Sequence, residues 1–186
     1  MVPILSLWLP IVVAAVVVFL ASSLIHMVLP IHKSDYKKLP RESETLDHLR
    51  PQGLAPGLYH FPYCASSKEM GSPEILEKLR RGPVGILIIR PSGEMKLGSF
   101  LGQWFVYLLL VSLFVAYLAG RTLVPGAYYL AVFRVVGAAA FLAYGLGQIV
   151  NSIWMGHPWS STVKHVVDGL VYALLTAGVF GWLWPR

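Results

Sequence analysis

The sequence predicts an all-α membrane protein, a bundle of four transmembrane helices with a small α+β insert in one loop. Three observations lead to this fold class. Hydrophobic residues make up 56% of the 186 residues and charged residues only 13%, against roughly 25% charged residues in soluble domains. The apolar residues are gathered in four runs, each long enough to cross a bilayer. Most charged residues lie in the segment between the first run and the second.

Each apolar run of about 20 residues is expected to form one membrane-spanning helix. The four runs cover approximately residues 3–29, 99–120, 127–153 and 162–184. No basic segment precedes the first run, which is also longer than the apolar core of a signal peptide. We therefore expect the first run to remain as a helix of the mature protein.

The long loop after the first run is predicted to be a folded unit. The stretch SPEILEKLRRGP has a helix start at Ser72 and Pro73 and a stop at Gly82. RESETLDHLR also indicates a short helix, while GLYHFPY and VGILIIR have the β-branched and aromatic composition of strands. The chain is therefore predicted to divide into the first transmembrane helix at 1–31, the α+β insert at 32–97, and the second to fourth transmembrane helices at 98–186.

Basic residues near the ends of the runs predict the orientation. They flank the spans mainly on the side of the long loop, at Lys33, Lys37, Lys38, Arg41, Arg80, Arg81, Arg90 and Lys96. The opposite side has only Arg121 and Arg186. Because positively charged flanking residues stay in the cytoplasm, the 32–97 loop is predicted to be cytoplasmic and both termini outside.

Several function classes are disfavoured by composition and by missing motifs. The net charge of +6 does not indicate a nucleic-acid-binding surface, because eleven of the 15 basic residues share the long loop with eight of the nine acidic ones. The single Cys64 leaves no internal disulfide and no thiolate metal site. No Gly-rich phosphate loop, no Gly-x-Ser-x-Gly and no His-Glu-x-x-His sequence is present.

Six polar side chains are predicted to lie in the cytoplasmic half of the bilayer, where four packed helices can bring them together. These candidates for an intramembrane polar site are His26, Tyr144, Gln148, Asn151, His165 and Asp168. An ionisable group inside a span is costly and normally has a partner, and Lys164 lies one helical turn before Asp168. Two interpretations stay open: a helix end anchored by contacts of Asp168 with Lys164 or His165, or a proton, ion or ligand site centred on Asp168.

The sequence predicts no cofactor and no metal site. His26 and His165 are weak candidates for a haem or metal site, which requires their helices to face each other. Neither histidine has a ligand-type neighbour one turn away except the pair of His165 and Asp168. A single histidine near a helix end is more often a hydrogen-bonded structural residue.

Arg134 lies about two turns in from the outer face of the third helix, with no acid at similar depth. Its side chain is expected to extend to the headgroups, to bind a lipid phosphate or to pair with a carboxylate of a partner. Small residues on the same helix permit close helix packing, either inside the bundle or at a dimer face.

Four stretches, HKSDYKKLP, PGLYHFP, GPVGILIIRP and DGLVYALLTAGVFGWLWP, resemble those of a family of uncharacterised small bacterial inner-membrane proteins. The resemblance extends over most of the chain. It implies a location in the bacterial inner (cytoplasmic) membrane. The family has no assigned activity, so the resemblance transfers no catalytic residue.

The hypothesis favoured by the sequence is a non-catalytic accessory or scaffold subunit of a larger membrane complex. Its partners would be the lipid bilayer and other membrane subunits or a second copy of the chain, with no nucleic acid. The first alternative is a small transporter or channel component that uses the polar site around Asp168. The second is a haem- or metal-binding redox subunit that uses His26 and His165.

Overall fold

The computed structural model describes residues 1–186 and is 68% helical. Four helical stretches are long and apolar enough to span a membrane, as the sequence predicts: Ile4–Val28, Leu97–Thr122, Tyr129–Trp154 and Trp159–Trp182. The chain forms two compact units, a helical unit of residues 1–36 and 96–186 and an insert of residues 37–95. Residues 32–36, which the sequence analysis assigned to the insert, pack with the helical unit.

The helical unit contains five α-helices: α1 at Trp8–Ser23, α5 at Leu97–Thr122, α6 at Tyr129–Tyr144, α7 at Ile149–Trp154 and α8 at Trp159–Trp182. Helix α5 packs against α1 and α6, and α8 packs against α6 and α1, so each of these four helices touches two neighbours. This arrangement is a closed four-helix bundle.

The insert has its own small sheet and three helices: α2 at Glu42–Leu49, α3 at Ser67–Met70 and α4 at Pro73–Arg81. Strands β1 (Gly57–Phe61) and β2 (Gly85–Ile89) pair antiparallel. Helix α4 begins as predicted, because the Ser72 hydroxyl accepts a hydrogen bond from the Ile75 backbone N–H. The predicted strand, helix, strand order is therefore confirmed.

The bundle core is rich in small and β-branched residues around a few large ones such as Phe180 and Leu108, and many other large apolar residues lie outside. The fully buried positions include Ala14, Ala15, Val18, Ala116, Ala119, Val132, Val136, Ala140 and Ala177. Exposed positions include Leu20, Phe114, Leu142 and Trp182. Small residues allow the helices to approach closely, and the apolar exterior suits a hydrocarbon surrounding.

Two helix ends are irregular, and both lie near the polar residues discussed below. Helix α1 continues into a π-helical turn at Leu24–Val28, and a 3-10 turn at Pro30–His32 then folds the chain back. The third span is interrupted after Tyr144 by a 3-10 turn at Leu146–Gln148 before α7 begins. The predicted continuous helical face of Tyr144, Gln148 and Asn151 is therefore broken.

Candidate functional site

Three separate segments of the helical unit bring histidines and an aspartate together. His26 lies in the π-helical turn that ends the first span, and His32 lies in the 3-10 turn that follows it. His165 and Asp168 lie one turn apart near the start of α8. Each of the four side chains offers one ligand-type atom, and these atoms all lie within 4.8 Å of one another.

Asp168 is the common neighbour of the three imidazoles. Its Oδ2 lies 2.9 Å from His32 Nε2, 3.8 Å from His26 Nε2 and 3.8 Å from His165 Nδ1. The three ring centroids form a triangle, 4.3 Å from His26 to His32, 5.0 Å from His32 to His165 and 6.1 Å from His26 to His165.

A second carboxylate fixes the orientation of His32. Asp35 Oδ2 lies 2.7 Å from His32 Nδ1, and Lys164 Nζ donates a hydrogen bond to Asp35 Oδ1 at 2.7 Å. The Lys164 ammonium, with a smaller contribution from His32, holds the pKa of Asp35 below its usual value, so Asp35 is ionised at neutral pH. An ionised Asp35 accepts a hydrogen bond from His32 Nδ1–H in the tautomer that leaves Nε2 able to bind a metal ion.

Lys164 ties this segment to α8. Besides Asp35, its ammonium donates hydrogen bonds to Ser34 Oγ at 2.7 Å and to the Ile31 carbonyl at 2.8 Å. Of the two contacts predicted to anchor Asp168, the one with Lys164 is absent, because all three hydrogen bonds of Lys164 go to residues 31–35. The other is present, with His165 Nδ1 3.8 Å from Asp168 Oδ2. Asp168 therefore keeps only histidines as candidate cationic neighbours.

The cluster has a buried side and an open side. The side chains of His32 and Asp168 are only 10% and 9% exposed, whereas those of His26 and His165 are 39% and 37% exposed. His32 Nε2 and Asp168 Oδ2 are fully buried, and neither forms a well-directed hydrogen bond despite their short separation. A buried carboxylate without a directed partner is costly, and a bound cation would remove that cost.

The donor set fits a divalent transition metal. Three imidazole nitrogens and one carboxylate oxygen are a typical ligand set for Zn²⁺ and also suit iron, copper or nickel. Bonds of about 2.0–2.1 Å in a tetrahedral site place neighbouring ligand atoms about 3.4 Å apart. The three distances from Asp168 Oδ2, 2.9 to 3.8 Å, lie on both sides of that value. The other ligand atoms are separated by up to 4.8 Å, so binding a metal ion would draw the imidazole rings inward.

A cavity of about 400 Å³ opens beside the cluster. Its walls include five of the six predicted polar residues, His26, Tyr144, Gln148, His165 and Asp168. The sixth, Asn151, is not on the wall and instead donates a hydrogen bond to Gln148 Oε1 at 3.1 Å. Aromatic side chains from α5 and α8 complete the cavity, and the volume is within the usual range of a small-molecule site.

Tyr172 is the most informative of these aromatic residues. It lies one turn after Asp168 on α8, lines the cavity and is 4% exposed. Its hydroxyl is buried and has no hydrogen-bond partner. Trp104, also on the cavity wall, is fixed, because its indole N–H donates to Ser22 Oγ at 2.9 Å. Tyr144 lines the same cavity and its buried hydroxyl also has no partner, so the wall carries two unused hydroxyl donors.

His32 was not among the residues predicted for the site, because its position in the sequence indicated the cytoplasmic insert, outside the bilayer. A signal was present in the sequence, since His32 and Asp35 have the i, i+3 spacing of a paired histidine and carboxylate just beyond a span. Arg134, the predicted lipid or partner contact, is exposed on α6 and forms no ion pair within the chain. It takes no part in the cluster.

No protein-family model, no curated protein and no solved structure matches this chain. The resemblance to small bacterial inner-membrane proteins stays a prediction. Functional inference therefore depends on the geometry of the site.

Proposed function

We propose that this chain is a membrane-embedded metalloprotein that binds a transition metal ion, with Zn²⁺ favoured by the ligand set. The ligands are His26, His32, His165 and Asp168. One observation carries the proposal: four ligand atoms from three separate segments lie within 4.8 Å of one another around a buried carboxylate. Such convergence is specific, because three chain segments must be folded together to achieve it.

The surroundings favour a reactive centre over a purely structural one. Four protein ligands complete a tetrahedral site, so a reacting oxygen would bind as a fifth ligand, entering from the cavity that His26 and His165 border. A metal ion with such a fifth ligand would supply Lewis acidity and lower the pKa of bound water. The chain supplies the rest: Asp168 offsets the charge, Asp35 orients His32, and the Tyr172 hydroxyl is placed to donate a hydrogen bond to a bound oxygen.

The location is part of the same proposal. We place the four helices in the bacterial inner membrane with both termini outside and the 32–97 loop cytoplasmic, as the basic flanking residues and the resemblance favour. The cluster then lies at the cytoplasmic side of the bilayer. A role as an accessory or scaffold subunit beside other membrane subunits stays a prediction, and a reactive centre favours an active subunit over a passive one.

The test is metal content and metal binding of the purified chain. Protein isolated in mild detergent, stripped with a chelator and titrated with Zn²⁺ is expected to bind about one equivalent. Cobalt substitution is expected to give the visible bands of a tetrahedral site with nitrogen and oxygen ligands. His32→Gln and Asp168→Asn are both expected to abolish the bands.

His48→Gln is the matched control, because His48 lies in α2 of the insert and outside the cluster. Equal zinc binding by the wild type, His32→Gln and His48→Gln would show that any bound metal sits elsewhere. Failure of the wild type to bind zinc at all would also refute the proposal.

One further observation favours a second candidate function. His32 bridges two carboxylates, with Nδ1 2.7 Å from Asp35 and Nε2 2.9 Å from Asp168. A chain of carboxylate, imidazole and carboxylate is a possible proton relay, and it corresponds to the transporter alternative. Proton flux into liposomes containing the chain, abolished in Asp168→Asn and unaffected by chelators, would favour the relay over the metal centre.

A further inference from the structure

An apolar groove begins where the polar cavity ends. It has a volume of about 340 Å³ and runs along the outer side of the bundle between α5 and α6. Tyr107 lines both the polar cavity and this groove. Its hydroxyl donates a hydrogen bond to the Ala143 carbonyl at 3.2 Å, which places it between the two helices. The two spaces therefore meet at one side chain.

The groove exists because α6 presents small residues to larger ones on α5. Ala139 and Ala143 form one wall, while Leu110, Phe114 and Leu118 form the other. Along α5, Leu118 lies eleven positions after Tyr107, a distance of about 16 Å at 1.5 Å per residue. This length is about half of the roughly 30 Å hydrocarbon core, so the groove can hold an extended alkyl chain of that length.

We propose that the metal centre and the groove together bind a single-chain amphiphile with an anionic oxygen head, of which a fatty acid is the simplest example. The head occupies the cavity beside His26, His165 and Asp168, and the alkyl chain follows the groove between α5 and α6. The part of this proposal that concerns the head depends on the proposed metal centre. The part that concerns the chain depends only on the groove.

Charge and hydrogen bonding support an anionic head. Asp35 is matched by Lys164, so a divalent ion beside Asp168 leaves one net positive charge at the cluster. A carboxylate head neutralises that charge and can accept the unused hydrogen bond of the buried Tyr172 hydroxyl. An uncharged head of equal size can accept the hydrogen bond but does not neutralise the charge.

The test uses palmitic acid with a diazirine at mid-chain, added to liposomes of phosphatidylcholine that contain the full chain. After illumination, the labelled peptides are mapped by mass spectrometry. Labelling is expected on the α5 and α6 residues of the groove. Ala139→Phe, which fills the groove, is expected to reduce this labelling at least fivefold. Ala138→Phe is the matched control, since Ala138 is exposed on the same helix and does not line the groove.

The head is tested by competition in the zinc-loaded protein. Unlabelled palmitate is expected to compete at least fivefold better than methyl palmitate, which has the same chain and no charge. The difference is expected to disappear after chelation. If the two compete equally with zinc bound, the anionic head is refuted.

Labelling spread evenly over the exposed faces of all four helices, unchanged by Ala139→Phe and by competitor, would show ordinary surrounding lipid and overturn the proposal. If Ala139→Phe does not fold, competition by unlabelled palmitate still shows whether the labelling of the groove is specific. Groove labelling in a chain that binds no zinc would refute the metal centre and retain the chain site. Zinc binding without groove labelling would refute only this inference.

Discussion

Replacing Asp35 by Asn is the sharpest test of how the site is organised, because Asp35 does not belong to the four proposed ligands. Its Oδ2 lies 2.7 Å from His32 Nδ1, and this contact sets the tautomer and the ring orientation of His32. The Asn carbonyl can still accept that hydrogen bond, but without a negative charge. The expected result is a weaker zinc site in a protein that still folds.

The expected magnitude is a loss of about tenfold in zinc affinity. A hydrogen bond to a charged group contributes about 1.5–3 kcal/mol, roughly twice a neutral one. Exchanging the carboxylate for an amide therefore removes about 1–1.5 kcal/mol, and each 1.4 kcal/mol corresponds to a factor of ten. Measured losses on removing such supporting carboxylates run from about 10-fold to 100-fold, so our value is at the lower end.

The assay is a competition titration in detergent against a chromogenic zinc chelator at fixed pH. Asp47→Asn provides the control, because Asp47 pairs with Arg50 on the exposed surface of the insert and is unrelated to the cluster. Affinity of Asp35→Asn equal to that of wild type and Asp47→Asn, with the Lys164 contacts intact, would refute the idea that Asp35 orients a ligand.

Two further substitutions test the fold around the site. Lys164→Met leaves the carboxylate of Asp35 without its ammonium partner and is expected to lower the free energy of unfolding by about 1–3 kcal/mol. The control Lys78→Met breaks an exposed pair with Glu74 and is expected to lower it by no more than about 0.5 kcal/mol. Equal losses of thermal stability in the two variants would contradict this prediction. Gly169→Ala places a Cβ 2.6 Å from the Gly145 nitrogen and is expected to cost about 1–3 kcal/mol by overpacking. Gly102→Ala, on an open helix face, is expected to be neutral or slightly stabilising in the same thermal unfolding measurement, and an equal loss for both would argue against close packing of α6 and α8.

The parts of the fold that depend on composition and local rules were predictable. Four long apolar runs indicated four long helices, and Ser72, Pro73 and Gly82 indicated the bounds of α4. Depth along each predicted helix also placed His26, His165 and Asp168 at the same level. Those predictions need only the rise per residue and a topology, because helix length and membrane thickness set the depth of a side chain.

The parts that depend on tertiary packing were not predictable. His32 joins the cluster because the chain folds back at Pro30, and the periodicity of apolar residues in the sequence does not predict such a turn. Lys164 pairs with Asp35 because that same turn brings Asp35 to α8, so an intrahelical pair with Asp168 was the natural but wrong expectation. The interruption of the third helix after Tyr144 could not be predicted either, since the apolar composition of the sequence continues through it.

The turn at Pro30 also explains why the cluster is formed at the end of the bundle. A fully intramembrane group of three histidines would need three helices to place polar residues in the apolar core, where each unsatisfied group is costly. Here one ligand comes from a segment outside the first span and is held by Lys164 at the start of the last, so only Asp168 is buried deeply within a helix. The remaining charge, that of Asp168, is then the one that the proposed metal ion would balance, and it lies where the cavity gives access from one side.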